Sequence, residues 1–233
     1  MKDFHAIDDR VLSGEPVPQS TRSRNASPFS YSSVGKRLLD ISGVVILAPL
    51  ALAIIIVVAF MMWITGDGGP LFFGHRRIGM HGKVFRCWKV RTMVVDAELR
   101  LRDHLASDSG AAREWARDHK LSDDPRITHL GCFLRRTSLD ELPQLWNVFK
   151  GDMSLVGPRP IVRTEMHKYG SHRAVYASVR PGVTGLWQIS GRNDITYAER
   201  VRFDVDYVKK MSLWTDLKII AGTFNAVLDR TGR

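Results

Sequence analysis

The chain has 233 residues, of which 44% are hydrophobic and 25% charged, and its formal net charge at pH 7 is +10. This length fits one domain of ordinary size plus an appendage, and the average hydrophobicity excludes a bundle of membrane helices. The positive balance favours anionic partners, whether nucleic acid, lipid headgroups or phosphorylated substrates. Because Cys87 and Cys132 lie far apart and form no CxxC motif, a reducing compartment is expected and a disulfide framework is not.

Residues 1–34 are rich in serine, proline and charged side chains and have little apolar periodicity. This composition predicts a disordered N-terminal tail, because such a segment cannot bury enough apolar surface to offset its conformational entropy. Its first residues include acidic side chains and no basic patch followed by an apolar run, so a secretory signal is not predicted.

A membrane segment is predicted over residues 35–65. Lys36 and Arg37 precede the 24 uncharged residues 41–64, which as a helix would extend about 36 Å and could cross a hydrocarbon core of about 30 Å. Pro49 interrupts the helical hydrogen bonding in the first half. Basic residues flank both ends, and the positive-inside rule places both on the cytoplasmic side. A re-entrant helix that bends at Pro49 is therefore favoured, with a single span as the alternative.

Residues 66–233 are predicted to form one cytoplasmic domain of helix-rich α+β class. Two apolar runs around a glycine-containing loop predict strands, and several charged or amphipathic runs predict helices. The expected strands are 71–73 and 84–90, and the expected helices are 96–120 with a break at 107–110, 130–136, 142–149, 198–211 and 213–228. The last helix has apolar residues at helical spacing and fits either a core helix or one lying on a membrane surface.

The sequence lacks the P-loop, the dinucleotide-binding glycine motif, the HExxH zinc motif and the nucleophile elbow. Asp204 and Asp206 could form a metal-binding carboxylate pair, as in many nucleotide-sugar glycosyltransferases. Positions two apart on a helix face different directions, however, which favours ordinary solvated charges.

The most informative stretch contains Asp140 and Glu141, directly after two arginines. Pro143 fits the first turn of a helix beginning near residue 139 or 140, whereas Ser138 and Glu141 fit a capping box. Either arrangement places the two acids at a helix N-terminus, where the dipole favours carboxylates and phosphates. A carboxylate ionised among cations is suited to attack phosphorus, and its neighbour to hold a divalent metal. The alternative is a capped helix with ordinary acids in its first turn.

Two further clusters present an arginine near turn residues. Arg159 lies between Pro158 and Pro160, which restrict the backbone around a cation suited to phosphate. The glycine-rich stretch 181–193 ends near Arg192. Each cluster alone is a weak signal, but together they predict a phosphate-binding domain.

With these motifs the chain resembles the bacterial sugar transferases, the monotopic phosphoglycosyl transferases that start glycan assembly on polyprenyl phosphate. The likeness runs from residue 36 to about 228 and rests on five motifs: Lys36-Arg37, Lys89-Val90-Arg91-Thr92-Met93, Leu139-Asp140-Glu141-Leu142-Pro143, Pro158-Arg159-Pro160 and Gly191-Arg192-Asn193. Residues 68–70 and 74–77 look most like the exopolysaccharide-initiating galactose-1-phosphate transferases of rhizobial bacteria. Many members have Ser-Pro at the hairpin break, where this chain has Ala48-Pro49.

The resemblance implies a role for each matching residue. Asp140 would be the nucleophile that attacks the β-phosphate of a UDP-sugar and releases UMP, and Glu141 would coordinate Mg²⁺. The implied phosphate-binding residues are Arg135, Arg159 and Arg192, with Lys89, Arg91 and Thr92 near the nucleotide. Asp216 matches a recurrent family acid whose role the resemblance does not define.

The implied acceptor is undecaprenyl phosphate at the inner face of a bacterial cytoplasmic membrane, with anionic lipids as further partners, no nucleic acid, and a homo-oligomer allowed. Two other classes remain open at this point. A metal-dependent glycosyltransferase using Asp204 and Asp206 would release UDP, and a membrane-anchored basic scaffold would release no nucleotide. Neither the hexose nor the polysaccharide follows from the sequence.

Overall fold

The computed structural model describes residues 31–66, 68–118, 120–190 and 195–228. The predicted tail therefore lies outside the described residues except at its end, where Tyr31–Gly35 forms a π-helical segment. The described chain falls into two compact units. The first contains the described parts of Met1–Pro49, Gly74–Trp88 and Gln144–Asp229, and the second those of Leu50–Phe73 and Lys89–Pro143.

The predicted membrane segment forms helix α1, Lys36–Ile64, which is long and apolar enough to cross a membrane. Most of its large apolar side chains are exposed, as expected of a surface that lipid would cover. The helix continues through Pro49. Any change of direction there has to be a kink within the helix, since no loop interrupts it.

After the membrane segment the chain forms a hairpin of β1, Phe72–Ile78, and β2, Val84–Val90. The first strand is longer than the predicted 71–73, because it continues through the charged residues that precede Ile78. A short 3₁₀ turn, Met80–Gly82, connects the strands. At the end of β2 the chain enters the stretch that begins with Lys89 and leads to the candidate site.

The remaining elements confirm a helix-rich α+β fold. In the second unit the helices are α2, Ala97–Ser107; α3, Ser109–Asp118; and α4, His129–Arg136. In the first unit they are α5, Gln144–Lys150; α6, Arg173–Ala177; α7, Leu186–Ser190; α8, Tyr197–Lys210; and α9, Leu213–Leu228. The predicted break at 107–110 is confirmed, and the predicted ends of the later helices lie within two residues of those observed.

Two short parallel strands, β3 at Ser154–Val156 and β4 at Gly182–Thr184, join distant parts of the first unit. Their pairing puts the chain that follows β3 beside the glycine-rich stretch. A core that includes Val148, Val156 and Ile219 lies under these strands, and a second cluster packs around Ile161 and Tyr169. The second unit has its own cluster around Val90 and Leu134.

The start of α1 is fastened to α9 by a buried ion pair. Lys36 Nζ donates to Asp216 Oδ2 at 2.6 Å, and Tyr207 Oη donates to Asp216 Oδ1 at 2.8 Å. Tyr31 also donates to this carboxylate, which is fully buried. One turn later the carboxylate of Asp40 accepts hydrogen bonds from the hydroxyl of Ser154 and the backbone N–H of Leu155. These contacts give Asp216 an anchoring role that the sequence did not define.

We expect Asp216→Asn to cost about 3–5 kcal/mol of unfolding free energy, because it removes the counter-charge with which the buried Lys36 ammonium is in direct contact. Lys36→Met should be costly alone but add little to Asp216→Asn, which is the signature of direct coupling. Thermal unfolding in detergent measures both effects. Lys218→Met, which removes an exposed cation from the same helix, should be nearly neutral; equal losses in all variants would exclude a specific pair.

Candidate active site

Asp140 lies in a three-residue 3₁₀ turn, Leu139–Glu141, that follows α4. A helical turn begins at Leu139, as one predicted arrangement has it, but it ends at Glu141, and α5 begins only at Gln144, after Pro143. The predicted capping box is wrong, because Ser138 makes no capping hydrogen bond. The physical reason is the left-handed backbone of Ser138, with φ 57°, which ends the helical path and redirects the chain. The two acids consequently depend on nearby cations rather than on the dipole of a long helix.

Lys89, at the end of β2, supplies the closest cation. Its Nζ lies 2.7 Å from Glu141 Oε1 and 3.2 Å from Asp140 Oδ2. The Asp140 side chain is 9% exposed, whereas those of Lys89 and Glu141 are 35% and 31% exposed. The ammonium therefore joins a buried carboxylate to one that solvent or a ligand can reach.

Burial and charge oppose each other in this group. Burial raises the pKa of Asp140 above its usual range; the Lys89 ammonium lowers it, Glu141 raises it, and the net direction is upward. For Lys89, burial lowers the pKa, but the two carboxylates outweigh that effect and raise it. The charged forms of Lys89 and Asp140 thus stabilise each other, and Lys89 is the leading group that favours an ionised Asp140.

Arg135 belongs to the same surroundings through the last turn of α4. Its Nε donates to Thr92 Oγ1 at 2.8 Å. Burial lowers the pKa of Arg135, and the Asp140 carboxylate is the leading charge that opposes this shift. Five of the predicted site residues are therefore brought together in the second unit: Lys89, Thr92, Arg135, Asp140 and Glu141.

Gly131 allows α4 to lie close to the backbone of Thr92, and sequence reasoning missed this role. A Cβ at this position would lie 2.1 Å from the carbonyl oxygen of Thr92, far inside contact distance. The same carbonyl accepts a hydrogen bond from Thr128 N–H, directly before α4, at 3.1 Å. Only glycine lets the helix lie this close to the segment that follows β2.

Arg91 has a structural task that sequence reasoning also missed. Its guanidinium donates to the backbone carbonyls of Gly68, Pro70 and Met93 at 2.6, 2.8 and 2.8 Å. Charged donors on carbonyls of an otherwise irregular segment hold that segment in one conformation. The predicted place of Arg91 near a nucleotide stays a prediction.

In the first unit, backbone contacts hold the loop that carries Arg159. Gly157 N–H donates to Thr184 O at 2.9 Å, and Gly182 N–H donates to Pro158 O at 2.8 Å. A Cβ on Gly182 would lie 2.1 Å from the Gly157 nitrogen. The glycine-rich stretch, predicted to help bind phosphate, thus serves to hold this loop. Its predicted cation Arg192 lies outside the described residues.

The side chain of Arg159 lies over an aromatic ring, with its guanidinium carbon 5.3 Å from the centroid of Trp187. Asp204 lies beneath the loop, where it accepts a hydrogen bond from Tyr169 Oη at 2.7 Å. Burial raises the pKa of Asp204 to about 7. A carboxyl this enclosed is poorly placed to bind a metal from solvent, and no group of three or more metal-ligating side chains occurs among the described residues.

Comparison with known proteins identifies the family. The model of the bacterial sugar transferase family matches residues 31–230, which is most of the chain. The chain belongs to the bacterial sugar transferase family. The resemblance inferred from the five motifs is thereby confirmed.

Named relatives of this bacterial sugar transferase are similar over most of its length. It is 54% identical over 169 residues to the undecaprenyl-phosphate galactose phosphotransferase of Salmonella typhimurium, covering 72% of this chain and 36% of the relative. It is 48% identical over 197 residues to the UDP-galactose-lipid carrier transferase of Erwinia amylovora, covering 84% and 41%. With the exopolysaccharide production protein ExoY of Sinorhizobium fredii, identity is 47% over 211 residues and 91% of both chains is covered. The chain thus spans about two fifths of the first two relatives.

The close approach of α4 to the backbone of Thr92 can be tested by mutation in this sugar transferase. We expect Gly131→Ala to lower turnover by about tenfold or more, because α4 must retreat from Thr92 and Arg135 moves with it. Cys132→Ala alters the next residue of the helix, which is exposed, and should leave turnover near wild type. Steady-state assays together with thermal unfolding would check this; wild-type turnover in Gly131→Ala would mean that this approach does not matter to the site.

Proposed function

We propose that this bacterial sugar transferase moves a sugar-1-phosphate from a UDP-sugar to undecaprenyl phosphate, with Asp140 as the nucleophile. The observation that carries the proposal is the buried Asp140 carboxylate beside Lys89, with Glu141 accessible on the same ammonium. Family membership supports a transferase rather than a basic scaffold. The names of the Salmonella and Erwinia relatives support a lipid-phosphate acceptor and a nucleotide-sugar donor.

The chemistry proceeds in two displacements at one phosphorus atom. In the first, an Asp140 oxygen attacks the β-phosphorus of the UDP-sugar, the bond to the bridging oxygen breaks, and UMP leaves with that oxygen. The enzyme then carries a sugar-phosphoryl ester on the carboxylate. In the second, an oxygen of undecaprenyl phosphate attacks the same phosphorus, which frees the carboxylate and forms the undecaprenyl diphosphate sugar.

Lys89 supports the first displacement electrostatically. A carboxylate and a diphosphate repel each other, and a cation 3.2 Å from the attacking group reduces that repulsion. Arg135 adds a second positive charge from the end of α4. The partial exclusion of water from Asp140 strengthens both interactions.

The acidic pair also fits Mg²⁺, which proteins usually hold through one or two carboxylates together with substrate phosphates and water. Glu141 would be the principal ligand because it is the more exposed acid, with Asp140 beside it. Bound Mg²⁺ would neutralise charge on the diphosphate. Lys89 would then have to share Glu141 with the ion.

Galactose is the proposed hexose, and the transfer is the proposed first membrane step of exopolysaccharide synthesis, since the names of relatives point to both. The choice between hexoses therefore rests on these names, and the transfer chemistry does not depend on it.

We also propose that α1 is re-entrant and that the catalytic domain lies at the cytoplasmic face of the inner membrane. Near its start, Val44 packs in the core that contains Val148; near its end, Val58 and Met62 pack with Leu134. The first half of the helix therefore packs within the first unit and its later half within the second unit. Pro49 inside the helix and basic residues at both of its flanks support the re-entrant form over a straight span.

The exposed side of α9 supports the same membrane placement. Ile219 is buried in the core, whereas four large apolar side chains of the helix are exposed: Leu213, Trp214, Leu217 and Phe224. Trp146 and Phe149 of α5 are also exposed and stack on each other. Aromatic and apolar groups of this kind are typical of surfaces that rest in the headgroup region.

Topology can be tested by cysteine labelling in a Cys132→Ala background, since the remaining Cys87 is buried. Ser20→Cys and Gly232→Cys should both react with an impermeant thiol reagent only when the cytoplasmic side is exposed, because a re-entrant helix returns to the side it entered. Ala116→Cys, at an exposed position of α3, provides the reference for the catalytic domain. Reaction of the Ser20→Cys protein from outside intact cells would establish a span instead.

The nucleophile can be tested without the lipid acceptor. Wild-type enzyme with UDP-galactose and Mg²⁺ should release about one equivalent of UMP and gain the mass of a hexose phosphate on the peptide bearing Asp140, because the first displacement stops at the ester. Asp140→Asn should show neither, and Asp103→Asn, an exposed acid of α2, should match wild type. Release of UDP would favour the metal-dependent glycosyltransferase, and an adduct elsewhere would reassign the nucleophile.

A further inference from the structure

Unsatisfied polar atoms are concentrated in one part of the first unit. Seven buried side-chain nitrogen or oxygen atoms have no hydrogen-bond partner among the described residues. Five of them lie on neighbouring side chains: Arg159, Trp187, Tyr197, Arg200 and Asp204. Arg200, in α8, belongs to none of the motifs by which the family was recognised.

Two arginines share one ring in this group. The guanidinium carbon of Arg200 lies 4.5 Å from the centroid of Trp187, and that of Arg159 lies 5.3 Å from the same centroid. Arg200 also lies 5.7 Å from the centroid of Tyr197. Cation–π attraction holds each cation at the aromatic surface, but it does not neutralise either charge.

A third arginine adds to the positive charge. Arg77, near the end of β1, donates to the backbone carbonyl of Pro160 at 3.1 Å. Burial lowers the pKa of Arg77 and of Arg200, and the positive charge of Arg159 lowers both further, as expected for three neighbouring cations. We call Arg77, Arg159, Arg200, Trp187 and Tyr197 the arginine–aromatic cluster.

The nearby carboxylates do not balance these cations. Glu165 lies 3.8 Å from Arg77. The pKa of about 7 for Asp204 leaves that group only partly ionised at neutral pH. The cluster therefore retains positive charge that the described residues do not neutralise.

The unsatisfied atoms identify what is missing. Four of the five can donate a hydrogen bond: Nε of Arg159, Nε of Arg200, Nε1 of Trp187 and the hydroxyl of Tyr197. The fifth, Oδ1 of Asp204, is an acceptor. Buried donors without acceptors, beside uncompensated positive charge, are unfavourable in the protein alone. A phosphoryl group offers several acceptor oxygens and negative charge, and arginine matches its geometry well.

We propose that the arginine–aromatic cluster is a phosphate-binding site in which Arg200 is a ligand-contacting residue and Arg77 positions the loop of Arg159. That the cluster binds phosphate follows from its own donors and charge. That the phosphate belongs to the UDP-sugar or to the lipid acceptor rests on the proposed function. Both sources present the same phosphoryl chemistry.

Binding can be measured on the full chain in detergent, without Mg²⁺, from the rise of the unfolding temperature with inorganic pyrophosphate. Arg200→Gln should weaken the apparent affinity for pyrophosphate about tenfold or more, since a charged donor is lost. Arg202→Gln removes an exposed cation from the same helix and should retain wild-type affinity. Arg200→Lys keeps the charge without the planar fork and should fall between them.

The unfolding temperature without pyrophosphate separates binding from structure. Removing one of three mutually repelling cations should leave that temperature unchanged or raise it in Arg200→Gln. A marked fall without pyrophosphate would make Arg200 a structural residue and overturn the proposal. Equal pyrophosphate affinity in Arg200→Gln and wild type would overturn it as well.

Half-reactions then distinguish the source of the phosphate. A raised KM for UDP-galactose in UMP release by Arg200→Gln would assign the site to the donor, and a raised KM for undecaprenyl phosphate alone would assign it to the acceptor. Unchanged KM values for both substrates would overturn the proposal that this site binds a substrate phosphate during the reaction. Because pyrophosphate binding needs no covalent step, failure of the Asp140 adduct experiment would leave this result standing, and the reverse also holds.

Discussion

The interaction on which the account depends is the ammonium of Lys89 between two carboxylates. A largely buried Asp140 would favour its protonated form, and a protonated carboxyl is a poor nucleophile. Lys89 opposes that tendency at 3.2 Å while Glu141, at 2.7 Å, keeps the ammonium charged. Local structure brings these groups together, because Lys89 lies at the end of β2 and α4 ends where the acidic turn begins.

A second constraint comes from the membrane. The anchor between Lys36 and Asp216 fixes the start of α1 to the first unit, and the contacts of Val58 and Met62 fix its later half to the second. In the proposed re-entrant arrangement, these contacts would keep the catalytic domain at the lipid surface, where a polyprenyl phosphate headgroup would lie. The basic excess of the chain suits the same setting, since both proposed substrates and the surrounding headgroups are anionic.

The sequence predicted the elements well where periodicity carried the signal, as in α8 and α9, and the paired acids were recognised from residue type and motif. It failed where backbone geometry decided the outcome. The left-handed Ser138 leaves the expected capping box unformed, and the need for glycine at 131 arises from a carbonyl 39 positions earlier in the chain, that of Thr92. Likewise, no sequence motif singles out Arg200, because only the folded chain shows that its guanidinium lies over the ring of Trp187. Contacts between residues distant in sequence leave no local pattern to read.

The most direct test of the central claim is the pH dependence of UMP release in a single turnover. Because Lys89 lowers the pKa of Asp140, Lys89→Gln should raise that pKa and move the acid limb of the profile to higher pH, so that the variant loses more activity at pH 6 than at pH 8. Arg136→Gln, which removes an exposed cation from the end of α4, should leave the limb in place. An acid limb in Lys89→Gln at the same pH as in wild type would contradict the claim that Lys89 keeps Asp140 ionised for attack.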